Sequence, residues 1–182
     1  MKKKNSKKSG FTLVETIVSM LVITIILGFG GLYLFTGGSL FYSSAERNRL
    51  KIVGDGALSL YKQILQFSFE IDVSMNAGGE SLESSISISQ EGRVLLKNNG
   101  GSEYDAFGDA YYSGGTVSAE VTVLSDECIL IKITVLKNGD EYYSTKTAVT
   151  LDNLKLNNGV VGGEYIMGQA IVNPVVSFNK QS

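Results

Sequence analysis

Apolar positions follow three different periods along this chain. Residues 16–45 contain no charged side chain at all. Within them, residues 16–35 supply the ~20 predominantly apolar positions that a bilayer-spanning helix requires. The pattern predicts a helix from Phe11 through about residue 42. Gly28, Gly30 and Gly31 cluster in its middle, and each costs ~1 kcal/mol relative to alanine inside a helix. They serve either as a soft point or as places where helices pack closely, and the pattern does not choose between the two. From Leu50 the apolar residues fall at Leu50, Val53, Ala57, Leu60, Ile64 and Phe67. Steps of three and four predict an amphipathic helix over residues 43–69 with one face against a partner surface. Gly54, Asp55 and Gly56 weaken it and mark a place for a break.

Beyond Glu70 the period changes to two. Ile86 and Ile88 alternate with serines, followed by Val94 and Leu96. Val117, Ala119, Val121 and Val123 form one face of a strand, and Ile129, Ile131, Ile133 and Val135 another, with Lys132 and Thr134 pointing outward. Asn138-Gly139 predicts a type I′ hairpin turn, because both residues tolerate positive φ, with a return strand over residues 141–151. Residues 97–115 form a long Gly- and Asn-rich segment holding Tyr104, Phe107, Tyr111 and Tyr112 beside Glu103, Asp105 and Asp109. This reads as a solvated loop with its aromatics tucked onto the sheet; loops of such length are usually functional or disordered. One further strand is expected over residues 170–178.

Composition narrows the chemistry. A chain of 182 residues accommodates one membrane helix and one globular domain of modest size. The formal charge is −2, but Lys2, Lys3, Lys4, Lys7 and Lys8 supply five positive charges ahead of the apolar run, so the remainder carries −7. An acidic body argues against direct nucleic-acid binding, which rests on Lys and Arg neutralising phosphates. Arg47, Arg49 and Lys51 lie close together just past the apolar run, with Glu46 beside them. The one cysteine, Cys128, allows no intrachain disulfide and reads as a small, buried apolar residue at a strand start. Histidine is absent, which removes Ser-His and Cys-His dyads and imidazole-ligated zinc. No spacing of carboxylates or lysines points to a catalytic site, and no cofactor is implied.

The amino end carries the strongest functional signal. Lysines hold a leader on the cytoplasmic side while the apolar run enters the bilayer behind them. A secretory signal is cut after its apolar core, whereas the evident junction here, Gly10-Phe11, precedes it. Cleavage after Ser43-Ser44-Ala45 by signal peptidase does not fit, because the apolar segment is far longer than the ~7–15 residues of a secretory core. A plain signal anchor, with the lysines only orienting a single-pass helix, remains open. Glu15, one turn into the helix, costs ~2.5–3.5 kcal/mol at mid-bilayer and less near an interface, so a partner that neutralises it is expected; a charge snorkelling to water at the membrane edge is the plainer reading.

Ser9-Gly10-Phe11-Thr12-Leu13-Val14-Glu15, behind its basic leader, resembles the processing site of type IV prepilins and pseudopilins. The resemblance covers about the first fifth of the chain, to Tyr42. It implies that a membrane aspartyl peptidase cuts after Gly10 and methylates the new Phe11 amine. It also implies that Glu15 pairs with the Phe11 amine of a neighbouring subunit in a filament. The implied fold is α+β: a long N-terminal membrane-embedded helix packed by its outer half on an antiparallel β-sheet. The corresponding organisation is a removed leader (1–10), a membrane and filament-core helix (11–42) and an exported domain (43–182) with a β-rich part over 84–178.

The implied function is a non-enzymatic subunit, a minor pilin or pseudopilin, held in the cell membrane and then in an extracellular pilus or pseudopilus. Its partners would be other subunits, the prepilin peptidase, the membrane and, indirectly, an assembly platform and ATPase. Two features depart from many pilins: the helix-breaking proline and the C-terminal disulfide are missing, the latter leaning toward a Gram-positive-type system. Some pseudopilins bind calcium in a loop comparable to 97–115, but no EF-hand spacing is present and no metal ligands are assigned. A membrane-anchored binding protein or adhesin that does not polymerise is the alternative, and an anchored hydrolase a remoter one.

Overall fold

The computed structural model describes residues 12–74, 82, 84–99, 101–156, 161–163 and 165–180. The leader, Gly10 and Phe11 lie outside the described residues. The chain divides into two compact units, residues 1–45 and 46–182, with the division inside the first helix, α1 (Leu13–Phe67).

In the first unit no residue from 13 to 45 is buried. An 18-residue window reaches a mean hydropathy of 2.3, so this helix is long and apolar enough to cross a membrane. It remains helical through Gly28, Gly30 and Gly31; among the described residues nothing beyond their adjacent residues and the helix's own backbone comes within 4 Å of where a Cβ would stand.

The second unit is built on residues 46–67 of α1 and two antiparallel sheets. Helix α1 leads directly into β1 (Ser68–Ser74), followed by β2 (Ser84–Ile88), β3 (Val94–Lys97), β4 (Tyr104–Asp105), a short helix α2 (Asp109–Tyr112), β5 (Thr116–Ser125), β6 (Cys128–Lys137), β7 (Asp140–Thr150), α3 (Asp152–Leu156), β8 (Ala170–Val172) and β9 (Val175–Lys180). One sheet runs β1-β9-β2-β3-β4 and the other β7-β6-β5-β8. Their inner faces and α1 share one hydrophobic core, with Leu50, Tyr61, Leu65, Ile86, Ile131, Val176 and Phe178 among its fully buried members. The arrangement is α+β, a long apolar helix followed by antiparallel sheets, consistent with a pilin-like fold.

Several expectations need correction. Helix α1 does not break at Gly54–Gly56, because these glycines are where neighbouring groups approach its backbone. A Cβ on Gly54 would stand 2.8 Å from the Tyr143 ring and 3.0 Å from Val135, and one on Gly56 would stand 2.8 Å from Phe107. The buried face is Leu50, Val53, Gly54, Ala57, Tyr61, Ile64 and Leu65; Leu60 is half-buried and Phe67 is 58% exposed. An α-helix drifts by ~20° per heptad against a strict seven-residue repeat, which moves the buried face one position along.

The β-rich part begins at Ser68, well before residue 84. The Ser68 hydroxyl donates to the Ile64 carbonyl at 2.6 Å as the helix ends, and Ile71 and Val73 then turn inward in strand fashion. The strand expected at 170–178 is two strands in different sheets. Asn173 has φ 48°, and its side chain accepts from the Ala119 N–H at 2.8 Å; Pro174 then has no N–H to give to a ladder. Thr134, expected outward, is only 8% exposed, since it lies on an inner strand between Ser118 and Ser144.

The β6–β7 hairpin matches the sequence pattern: Asn138 and Gly139 have φ 54° and 87°, and Ile129, Ile131, Ile133 and Val135 are all buried. Segment 97–115 is more ordered than a solvated loop. It contributes β4 and α2, buries Tyr112 and half-buries Phe107, but leaves Tyr104 and Tyr111 exposed.

Candidate functional site

The amino end of α1 is built by local hydrogen bonding. Leu13 is the first helical residue, so Thr12 is its N-cap and Glu15 its third residue. The Glu15 N–H donates to Thr12 Oγ1 at 3.3 Å, and Glu15 Oε2 accepts from the Thr12 N–H at 3.5 Å. This reciprocal pair is a capping box. The signature Thr-x-x-Glu is present in the sequence as Thr12-Leu13-Val14-Glu15. Glu15 therefore has a structural role within its own chain: it satisfies a backbone donor that the first helical turn would leave open, and its negative charge complements the helix dipole. Both groups are exposed.

Behind the cap, Leu13, Val14, Ile17, Val18, Met20 and Leu21 begin an exposed apolar surface that runs on to Phe41 and Tyr42, each of the last two more than 70% exposed. Serine and threonine side chains along it are internally satisfied: Ser19, Thr24 and Thr36 each donate to the carbonyl four residues back. These serine and threonine hydroxyls therefore bring no unmet donor to an apolar environment, while Tyr33 and Tyr42 are left exposed.

In the second unit the polar clusters serve the fold. Tyr112 OH donates to Asp105 Oδ1 at 2.8 Å and accepts from the Val94 N–H at 3.0 Å, while the Arg93 guanidinium lies 4.1 Å from the centre of its ring. Burial pushes the Tyr112 hydroxyl well above its ordinary range, with the neighbouring Asp105 adding to the effect. Arg93 also pairs with Asp109 at 3.0 Å. Two of the three acids of segment 97–115 are therefore committed to protein partners. Among the described residues no group of three or more His, Cys, Asp or Glu side chains converges as a metal site would.

Tyr61 is fully buried, its hydroxyl has no partner among the described residues, and burial raises its pKa. Tyr143 donates to Asp55 at 2.5 Å, and that bond raises its pKa. Asp72 lies on β1 with one carboxylate oxygen buried and unbonded; burial first, and Glu70 second, push its pKa up. These are scattered groups with no shared cleft, and none presents a nucleophile beside a base.

Of the sequence-predicted site residues, Glu15 is at the start of α1, and Gly10 and Phe11 lie outside the described residues. No curated protein and no solved structure matches the chain. A family model does match at the amino end: the prokaryotic N-terminal methylation motif, over residues 5–30. That stretch takes in the basic leader's end, the Gly10-Phe11 junction, the capped turn and the first half of the uncovered apolar helix. Proteins with this motif are structural rather than enzymatic, and residues 5–30 of this chain form a type IV prepilin-like signal segment.

Proposed function

We propose that this chain is a non-enzymatic filament subunit, a minor pilin or pseudopilin of a type IV pilus-like or secretion machine. In this reading Gly10-Phe11 is the scissile bond. Residues 1–10 are removed, residues 11–42 hold the subunit in the membrane and later form the filament core, and residues 43–182 are exported. Phe11 becomes the methylated terminus, and Glu15 sets register with a neighbour's Phe11 amine. Other subunits, the prepilin peptidase and the membrane are direct partners; an assembly platform and ATPase act indirectly.

One observation carries the reading: the methylation motif runs without interruption into a helix on which no residue from 13 to 45 is buried. Soluble monomers rarely expose apolar patches beyond a few hundred Å², so this surface needs lipid or other helices to cover it. The capping box leaves room for the pairing of Glu15 with a neighbour. Thr12 N–H to Glu15 Oε2 is long, at 3.5 Å, so a charged amine is the stronger claimant for the carboxylate.

Processing is tested by mass spectrometry of native protein, which should find an N-methylated Phe11 as first residue. Gly10→Val should block cleavage, since a peptidase must approach backbone closely there and glycine has no side chain in the way. Met1 persisting in assembled material would refute the prepilin reading. Assembly is tested by Glu15→Val in cells that also make the wild-type partners. Insertion and cleavage should continue, because a polar penalty is removed and the scissile bond is untouched. Recovery in sheared filaments should fall, because the neighbour's amine loses its counter-charge. Normal recovery would favour a membrane-anchored binding protein that does not polymerise.

A further inference from the structure

The second unit contains a groove of about 410 Å³ lined by Arg47, Asn48, Lys51, Glu141, Tyr142 and Tyr143. Its basic wall is one face of α1, where Arg47 and Lys51 are four residues apart and therefore neighbours. The opposite wall is the start of β7. The nearby acids are otherwise engaged: Glu46 pairs with Lys137, and Asp55 accepts from Tyr143. Lys51 lies 6.0 Å from the centre of the Tyr143 ring. Among the described residues neither Arg47, Arg49 nor Lys51 has a carboxylate partner within ion-pair distance. Glu141 is the one acid in the lining.

These cations also run against topology. Lys and Arg close to a span favour the cytoplasmic side, yet Arg47, Arg49 and Lys51 follow within nine residues of Tyr42 on the side opposite the leader. Cations held there, against the bias and without carboxylate partners, call for an anion at the exported membrane surface. A guanidinium takes a phosphate in two-point fashion and an ammonium takes it as a point charge. Asn48 and Glu141 add a donor and an acceptor suited to hydroxyls, while the Glu141 charge disfavours a second negative charge on the ligand. Tyr142, 39% exposed, belongs to the residue class that settles at lipid headgroup depth.

We propose that this groove holds the headgroup of an anionic phospholipid of the outer leaflet, a monoanionic phosphodiester bearing hydroxyls. The inference rests on the membrane reading of α1. The lipid anchors the start of the exported unit at the bilayer surface until the subunit leaves the membrane.

The test uses the full chain in nanodiscs of equal phosphatidylglycerol and phosphatidylcholine, with retained lipid read by native mass spectrometry. Wild type should retain phosphatidylglycerol preferentially. Arg47→Gln/Lys51→Gln should weaken that preference by roughly thirtyfold, the factor expected for two cations at a charged membrane surface. Lys62→Gln, an exposed cation further along the same helix, should leave it unchanged. Near-UV circular dichroism checks that the double variant keeps its fold. Failure of wild type to enter nanodiscs would overturn the membrane reading and this proposal together. Entry with equal phosphatidylglycerol retention by wild type and double variant would overturn the groove alone. Saturable shifts of the Arg47 and Lys51 side chains with inorganic phosphate, read by NMR in detergent, would assign the groove to a free phosphate instead. Self-association of wild type, lost in the double variant without any lipid preference, would assign it to an acidic surface of another subunit.

Discussion

Gly54 and Gly56 lie two residues apart in one helix, yet alanine should act on them in opposite directions. Replacing glycine by alanine inside a helix gains up to ~1 kcal/mol of intrinsic propensity. At Gly54 the new methyl would stand 2.8 Å from Tyr143 Cδ1 and 3.0 Å from both Tyr143 Cε1 and Val135 Cγ2. The Tyr143 ring cannot swing aside freely, because its hydroxyl donates to Asp55, one residue further along the same helix. Val135 is buried in β6. Overpacking of this kind costs ~1–3 kcal/mol, which exceeds the propensity gain, so Gly54→Ala should destabilise by up to ~2 kcal/mol.

At Gly56, among the described residues, the close atoms from outside the helix's own backbone are Cε1 and Cζ of Phe107, the far end of a half-buried ring carried by a surface segment. That ring can tilt, so Gly56→Ala should be neutral or stabilising by up to ~1 kcal/mol. Thermal unfolding of the full chain in detergent, followed by tyrosine near-UV circular dichroism, should separate the two variants. At roughly 2–4 °C per kcal/mol for a chain of this size, Gly54→Ala melts below wild type and Gly56→Ala at or above it. Equal upward shifts for both would refute the reasoning, because propensity alone would then govern and the Tyr143 contact would carry no constraint.

Two other substitutions probe the polar groups of the same unit. Tyr112→Phe removes the acceptor of the Val94 N–H and the donor to Asp105, and should cost ~1–3 kcal/mol in urea unfolding; an unchanged midpoint would show that water replaces the hydroxyl. Asp72 has a folded-state pKa raised by burial and by Glu70. Its contribution to stability is therefore fully present below the ordinary carboxylate pKa and is lost as pH rises through the folded value. Asp72→Asn should consequently be more stable than wild type at pH 7, with the difference vanishing in acid; a wild type more stable at pH 7 would reverse the assignment.

Legibility in the sequence followed the strength and length of each pattern. Four alternating isoleucine and valine positions and an Asn-Gly turn placed β6 and β7 almost to the residue, because period two and positive φ have few other solutions. The uncharged run before Glu46 marked the helix for the same reason. Local pattern failed where tertiary contact decided. Gly54 and Gly56 read as helix breakers, but they are contact points for Tyr143 and Phe107, partners more than fifty residues away in sequence. The chain around Asn173-Pro174 read as one strand, since no local signal says that its two halves join different sheets. At the amino end the motif was visible, and the reciprocal Thr12–Glu15 cap was legible in the spacing Thr-x-x-Glu.

The pairing of β9 has a consequence for the order in which the second unit can form. Strands β5, β6 and β7 are joined by tight turns and pair with their sequence neighbours, so they can assemble as soon as each emerges. In the other sheet β2, β3 and β4 likewise pair with their sequence neighbours, but β1 does not. Residues 175–180 stand between β1 and β2 and bond to both, with Ile71 opposite Phe178 and Ile86 opposite Val176. Until that last segment is in place, β1 waits next to the end of α1 with its ladder unfilled. Closure over more than a hundred intervening residues is slow compared with hairpin formation. The second unit therefore passes through an interval in which β5–β7 and β2–β4 can already be paired while β1 still stands open. An unpaired strand edge is a template for pairing with another chain, so that interval is when the unit is most open to misassociation.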